Sequence, residues 1–107
     1  MSPVPVNTAE SVEQHVARLL RLWREETAYL SSSTSITDHP AYLELIALGA
    51  VALPPLFRDL AHTGDGHLSK ALTAITGAHP VPADERGQVR KIAATWLGWA
   101  KENGYQW

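Results

Sequence analysis

With 107 residues, 45% hydrophobic and 19% charged, the chain has the length and composition of one globular domain and is too apolar for a disordered one. Nine Lys and Arg against eleven Asp and Glu give a net charge of −2, interspersed rather than blocked. That balance argues against nucleic acid and anionic membranes as partners. The absence of cysteine excludes disulfides, thiolate zinc sites and thiol catalysis.

The chain opens with Met1-Ser-Pro-Val-Pro-Val, which has neither the basic nor the apolar region of a secretion signal. Residues 1–7 are expected to form a flexible arm ahead of a single helical domain, and the compartment expected is the cytoplasm. The longest apolar stretch, Leu45 to Leu56, is interrupted by Gly49, Pro54 and Pro55 and is short for a bilayer span.

Five segments carry apolar residues at the i, i+3, i+4, i+7 spacing of an amphipathic helix. Asn7 or Thr8 offers a cap for the first, with Glu10 completing a capping box. Val16, Leu19, Leu20 and Trp23 form its stripe, and it should run to about Leu30. Ser31 to Ser35 then reads as a polar loop. Thr37 or Asp38 can cap the second helix, which has Pro40 in its first turn and Tyr42, Leu45 and Ile46 on its apolar side.

Gly49 ends that helix, and Pro54 and Pro55 belong near the start of the third, whose stripe is Leu53, Leu56, Phe57 and Leu60. His62-Thr-Gly-Asp-Gly66 reads as a turn. The fourth helix carries Leu68, Ala71, Leu72 and Ile75 and stops at Gly77. Pro80-Val-Pro82 makes a stiff connector. Asp84 can cap the last helix, with Val89, Ile92, Ala93 and Trp96 on one face and Asn103-Gly104 as its stop. No segment alternates like a strand. The expectation is an all-α, compact five-helix bundle in which helices two and three form one antiparallel hairpin and helices four and five another.

The run His39-Pro40-Ala41-Tyr42-Leu43, followed by Leu53-Pro54-Pro55-Leu56-Phe57-Arg58-Asp59-Leu60, resembles the helical pair of a HEAT-type repeat. The segments Ala71 to Gly77, Pro80 to Pro82 and Arg86-Gly87, with Trp96, Trp99 and Gly104-Tyr105, resemble a small uncharacterised bacterial all-helical family. The resemblance implies HEAT-like hairpins and, by analogy with helical repeats, a scaffold that binds proteins. It carries no catalytic residue to transfer. Family members often have aromatic residues after the position of His67, where this chain has Leu68, Ser69 and Lys70.

Several residues invite chemistry. His62, Asp65 and His67 fall within six positions, and His39 or His79 could join them as metal ligands or as the base of a small enzyme. There is no His-Glu-x-x-His motif, and turn and cap roles account for these residues as well. Ser31 to Ser35 supplies hydroxyls without an accompanying base or glycine-rich phosphate cradle. Arg86, Arg90 and Lys101 could touch phosphates from the last helix, Arg86 and Arg90 sharing one side while Lys91 points elsewhere. A solvated helix face explains them equally.

The aromatic residues are the better signal. Trp99 lies about 70° from the centre of the last apolar face at about 100° per residue. Leu22 and Tyr29, seven apart, define a second apolar line on the first helix, with His15 and Glu26 flanking it. Together with Tyr105 and Trp107 they form the expected partner-binding set. The function this supports is a non-enzymatic protein–protein interaction module with no metal and no cofactor. An adaptor, antitoxin or immunity protein acting on a neighbouring gene product is such a module. The alternatives are a metal- or His-dependent enzyme at the His62–His67 turn and a weak nucleic-acid binder on the last helix.

Overall fold

The first helix, α1 (Val12–Thr27), begins at a reciprocal cap. The Ser11 hydroxyl accepts from the Gln14 backbone N–H at 3.1 Å, and the Gln14 side chain accepts from the Ser11 N–H at 3.0 Å. The computed structural model describes residues 10–30 and 33–107, without the side chains of Ser33 and Thr34. The arm at 1–7 and the expected caps Asn7 and Thr8 lie outside the described residues, as do Ser31 and Ser32.

Part of the expected polar loop folds into a short helix, α2 (Ser33–Thr37). It is tied to the core because Trp23 Nε1 donates to the Ile36 carbonyl at 2.8 Å. The cap of α3 (Pro40–Leu48) is His39, not Thr37 or Asp38. Its Nδ1 accepts from the Ala41 N–H at 3.0 Å, and Nε2–H donates to Glu26 at 2.6 Å, so two bonds fix one tautomer.

Gly49, at φ 73°, ends α3. A 3₁₀ turn (Gly49–Ala52) leads into α4 (Leu53–Thr63), whose Pro54 and Pro55 sit in the first turn where no N–H is needed. Pro40–Thr63 is long and apolar enough to cross a membrane by length and composition, but it is interrupted at Gly49 and 44% of its apolar window is buried inside the protein. A second 3₁₀ turn (Gly66–Leu68) precedes α5 (Ser69–Thr76), and a third (Ala83–Glu85) precedes α6 (Val89–Glu102). Asp84 lies within the third turn instead of capping α6. The N-cap position of α6 is Gln88, which makes no side-chain cap bond.

The described residues contain no strand, and the chain is an all-α bundle of five main helices plus α2. Its arrangement differs from two simple hairpins. The Gly49–Ala52 turn joins α3 to α4, but each packs chiefly on other helices: α3 against α1 and α5, α4 against α6 and α1. α6 also lies against the Gly66–Leu68 turn.

Most of the predicted stripe residues are the core, but Ile46, Ile75 and Ile92 are only half-buried against it and Val89, expected on the buried face of the last helix, is 37% exposed. Val16, Leu19, Leu20, Trp23, Tyr42, Leu45, Leu53, Leu56, Phe57, Leu60, Leu68, Ala71, Leu72, Ala93 and Trp96 are all buried. The largest rings bring their polar ends in with partners. Tyr42 donates its hydroxyl to the His67 carbonyl at 2.7 Å and accepts from the Ala71 N–H at 2.9 Å. Burial pushes this phenol well above its ordinary pKa. Trp96 Nε1 donates to Ser69 Oγ at 2.8 Å. Trp23 and Tyr42 meet ring to ring at 5.1 Å, joining α1 to α3.

One glycine is needed for a close approach. A Cβ on Gly66 would stand 2.5 Å from the Val89 carbonyl oxygen and 3.0 Å from Val89 Cα. The bare backbone of this turn lets the start of α6 sit directly on it.

Candidate interaction site

Between α1 and α4 runs a groove of about 510 Å³. Val16 and Leu20 from α1 and Pro55 from α4 form an apolar floor, with Ala17 on its open side. These positions follow from helical geometry. On α1, residues 13, 17, 20 and 24 share the side next to the core stripe at about 100° per residue, and α4 turns Pro55, Asp59 and His62 toward them.

The groove walls are stitched by charge. Arg24 of α1 reaches Asp59 of α4 through two bonds, at 2.9 and 2.7 Å. It also donates to Asp65 Oδ2 at 3.3 and 3.1 Å, and its guanidinium lies 5.5 Å from the Trp23 ring centroid. The Asp59 hydrogen bonds raise the Arg24 pKa above its already high ordinary value. Near the other end, Arg58 donates to Glu13 at 3.0 Å. One guanidinium shared by two carboxylates is a charge-assisted network that fixes the angle between α1 and the α4 end.

The histidine turn is built onto the same network. Asp65 Oδ1 accepts from the His67 backbone N–H at 3.1 Å and from His67 Nδ1–H at 2.9 Å. His67 therefore points Nε2 away from Asp65. His62 is exposed on α4 at the groove edge, and His39 is occupied as the α3 cap. Among the described residues no group of three or more His, Asp and Glu side chains converges as a metal ligand set. His39, His62, Asp65 and His67 thus fall into three separate settings.

The partner set read from the sequence also divides. Trp99, Tyr105 and Trp107 gather around Phe57, at ring-centroid distances of 6.5, 5.4 and 5.8 Å. Trp99 further meets Trp96 edge-on at 5.4 Å and stacks on Tyr105 at 5.7 Å. The turn after α6 makes this possible: Gly104, at φ 82°, lets Tyr105 N–H bond back to the Ala100 carbonyl at 2.9 Å. These three rings are half-buried and cover the Phe57 end of the core. Leu22, 38% exposed, lies on the side of α1 away from the groove, and Tyr29, 82% exposed, lies in the turn after α1 with no ring contact among the described residues.

The basic set is dispersed as well. Arg86 lies before α6 and not on it, Arg90 is in its first turn, and Lys101 is in its last. All three are exposed. The groove itself was missed by sequence reading. Its signal was present in the small residue Ala17 beside the α1 stripe, but only the placement of α4 turns that into a cleft. Compared with known proteins, the chain matches no family model, no curated protein and no solved structure.

Proposed function

We propose that this protein is a non-enzymatic interaction module that receives an amphipathic helix of a partner protein in the α1–α4 groove. The observation that supports this reading is the groove of about 510 Å³ between two helices joined by the Arg24–Asp59 bonds, with the small, exposed Ala17 at its mouth above the buried Val16, Leu20 and Pro55. An apolar trough between two fixed helices matches the ridges of a third helix. Arg21 and Glu25 on α1 offer rim charges of both signs and His62 on α4 a polar edge, which suits a partner helix with charged flanks and an apolar centre. A fixed groove also lowers the ordering cost of binding. An adaptor, antitoxin or immunity role is the biological setting proposed for such a module.

A photo-crosslinking residue at position 17, compared with one at position 22 and one at position 29, tests the reading in lysate of the native host. A single protein crosslinked only from position 17 is expected. Ala17→Trp, which fills the groove from an exposed position, should then abolish that product while leaving the helical circular dichroism and the melting temperature within the range of surface substitutions. Crosslinking from positions 22 and 29 alone would move the interface to the other side of α1 and overturn the groove.

A further inference from the structure

A second crevice lies where α5 meets α6. It consists of two adjoining cavities of about 730 and 320 Å³, which share Ser69, Arg86 and Ile92 in their walls. The larger also carries His67 and Lys70. The smaller continues along Pro80, Val81 and Pro82.

Its charge sets it apart from the other clefts. The α1–α4 groove has Glu13, Glu25 and Asp59 in its walls, and the small cleft at the start of α1 has Glu10. No carboxylate is among the described residues that line the α5–α6 crevice. In a chain with more acids than bases, Lys70 and Arg86 nevertheless line the same cavity. Neither forms an ion pair among the described residues, and Lys70 Nζ reaches only the Thr37 hydroxyl, at 3.3 Å.

The acids nearby in sequence are committed elsewhere. Asp65 is bound to Arg24 and to the His67 Nδ1–H, and Glu85 accepts from the Thr95 hydroxyl at 2.7 Å. With its Nδ1–H given to Asp65, His67 turns an acceptor lone pair, not a donor, toward a ligand, so the donors of the crevice are Lys70, Arg86 and Ser69. The Ser69 hydroxyl, which accepts from Trp96 Nε1, retains its own proton to donate.

Two cations and a hydroxyl beside an uncharged wall suit an oxyanion with a less polar body. We propose that the α5–α6 crevice binds a phosphate monoester of a small molecule, with the phosphate between Ser69, Lys70 and Arg86 and the body along Pro80–Pro82. Arg86 supplies the planar fork that pairs with two phosphate oxygens, Lys70 a point charge, and the proline wall a flat apolar surface. The close seat of Val89 on Gly66 holds the start of α6 against the turn that precedes Ser69 and Lys70.

The test is a ¹⁵N NMR titration of the intact protein with phenyl phosphate, inorganic phosphate and phenol, read at the backbone amides of Gly66 and Gly87, which line the crevice. Phenyl phosphate should shift both amides saturably and bind several-fold tighter than inorganic phosphate, while phenol shifts neither. Lys70→Ala and Arg86→Ala, both at exposed positions, should each weaken phenyl phosphate about tenfold or more. Arg21→Ala, at an exposed cation of the other groove, should leave it unchanged. Absence of a saturable shift at Gly66 and Gly87, or equal affinity in Lys70→Ala and Arg86→Ala, would overturn the site. Equal affinity for phosphate and phenyl phosphate would overturn the proline wall as its second half.

Discussion

The two clefts use the same side-chain types in opposite ways. In the α1–α4 groove, Arg24 and Arg58 are joined to Asp59, Asp65 and Glu13, so these cations hold helices together. In the α5–α6 crevice, Lys70 and Arg86 have no carboxylate partner among the described residues, so their charge is left to solvent or to a ligand. The difference teaches that net charge, here −2, says little about a local site. What matters is which acids the fold brings within reach of which bases. A paired cation contributes to stability, whereas an unpaired one contributes to recognition at almost no structural cost.

The comparison breaks most severely at Gly66. Gly66→Ala puts a methyl group against the Val89 backbone, which cannot rotate away. The expected loss is near the upper end of the roughly 1–3 kcal/mol typical of overpacking, measured by urea unfolding, with the crevice amides displaced as α6 is pushed off the turn. Next in size is Arg24→Met, which keeps the aliphatic stem but strands Asp59 and Asp65. A loss of about 1–3 kcal/mol is expected, reduced in part because these carboxylates are about a fifth exposed. A stability unchanged by Arg24→Met would show that the groove is set by apolar contacts alone.

The unpaired cations supply the contrast. Lys70→Ala and Arg86→Ala should each change stability by less than about 0.5 kcal/mol in the same unfolding experiment that registers Arg24→Met. A loss comparable to that of Arg24→Met would place the crevice cations in the structural class and erase the distinction.

The smallest effect concerns acid stability. Hydrogen bonding to Arg18, aided by His15, holds the Glu10 carboxyl at a pKa of about 2, below its ordinary 4.5. The carboxylate's contribution is present in full above about pH 4.5 and is lost as pH falls through about 2. Glu10→Gln should therefore lower the urea midpoint most at pH 7, with the difference from the parent closing as pH falls from 4.5 to 2. An unchanged midpoint would show that the Glu10–Arg18 pair is too well solvated to matter.

Much of the helical order was legible because it is local. The stripes Val16–Trp23 and Leu53–Leu60 face the core, and Gly49, Gly64, Gly77 and Gly104 all take the positive φ that ends helices or turns. Caps were less legible. His39 displaced Thr37 and Asp38 because Pro40 fixes the helix start one residue later and Glu26 holds the ring in place. Whether the second and third helices fold back on each other was not legible, because glycine followed by proline signals a stop in either geometry. Only contacts with α1, α5 and α6 decide whether the chain turns back.

The candidate sites depended still more on contacts distant in sequence. Trp99, Tyr105 and Trp107 are visible as aromatic residues, but their gathering on Phe57 joins two ends of the chain. Asp65 is visible as a turn residue, but its sharing of Arg24 with Asp59 spans forty-one positions.

By itself the sequence determined that this protein is all-helical, which faces its helices bury, and where they stop. Those properties depend on residues three or four apart and on glycines and prolines acting on their own backbone. The tertiary structure alone decided which helices α3 and α4 pack against, that a groove opens beside Ala17, and that Lys70 and Arg86 line one crevice with no acid among its described lining residues. Each of these depends on distances between helices, which the geometry of a single helix does not contain.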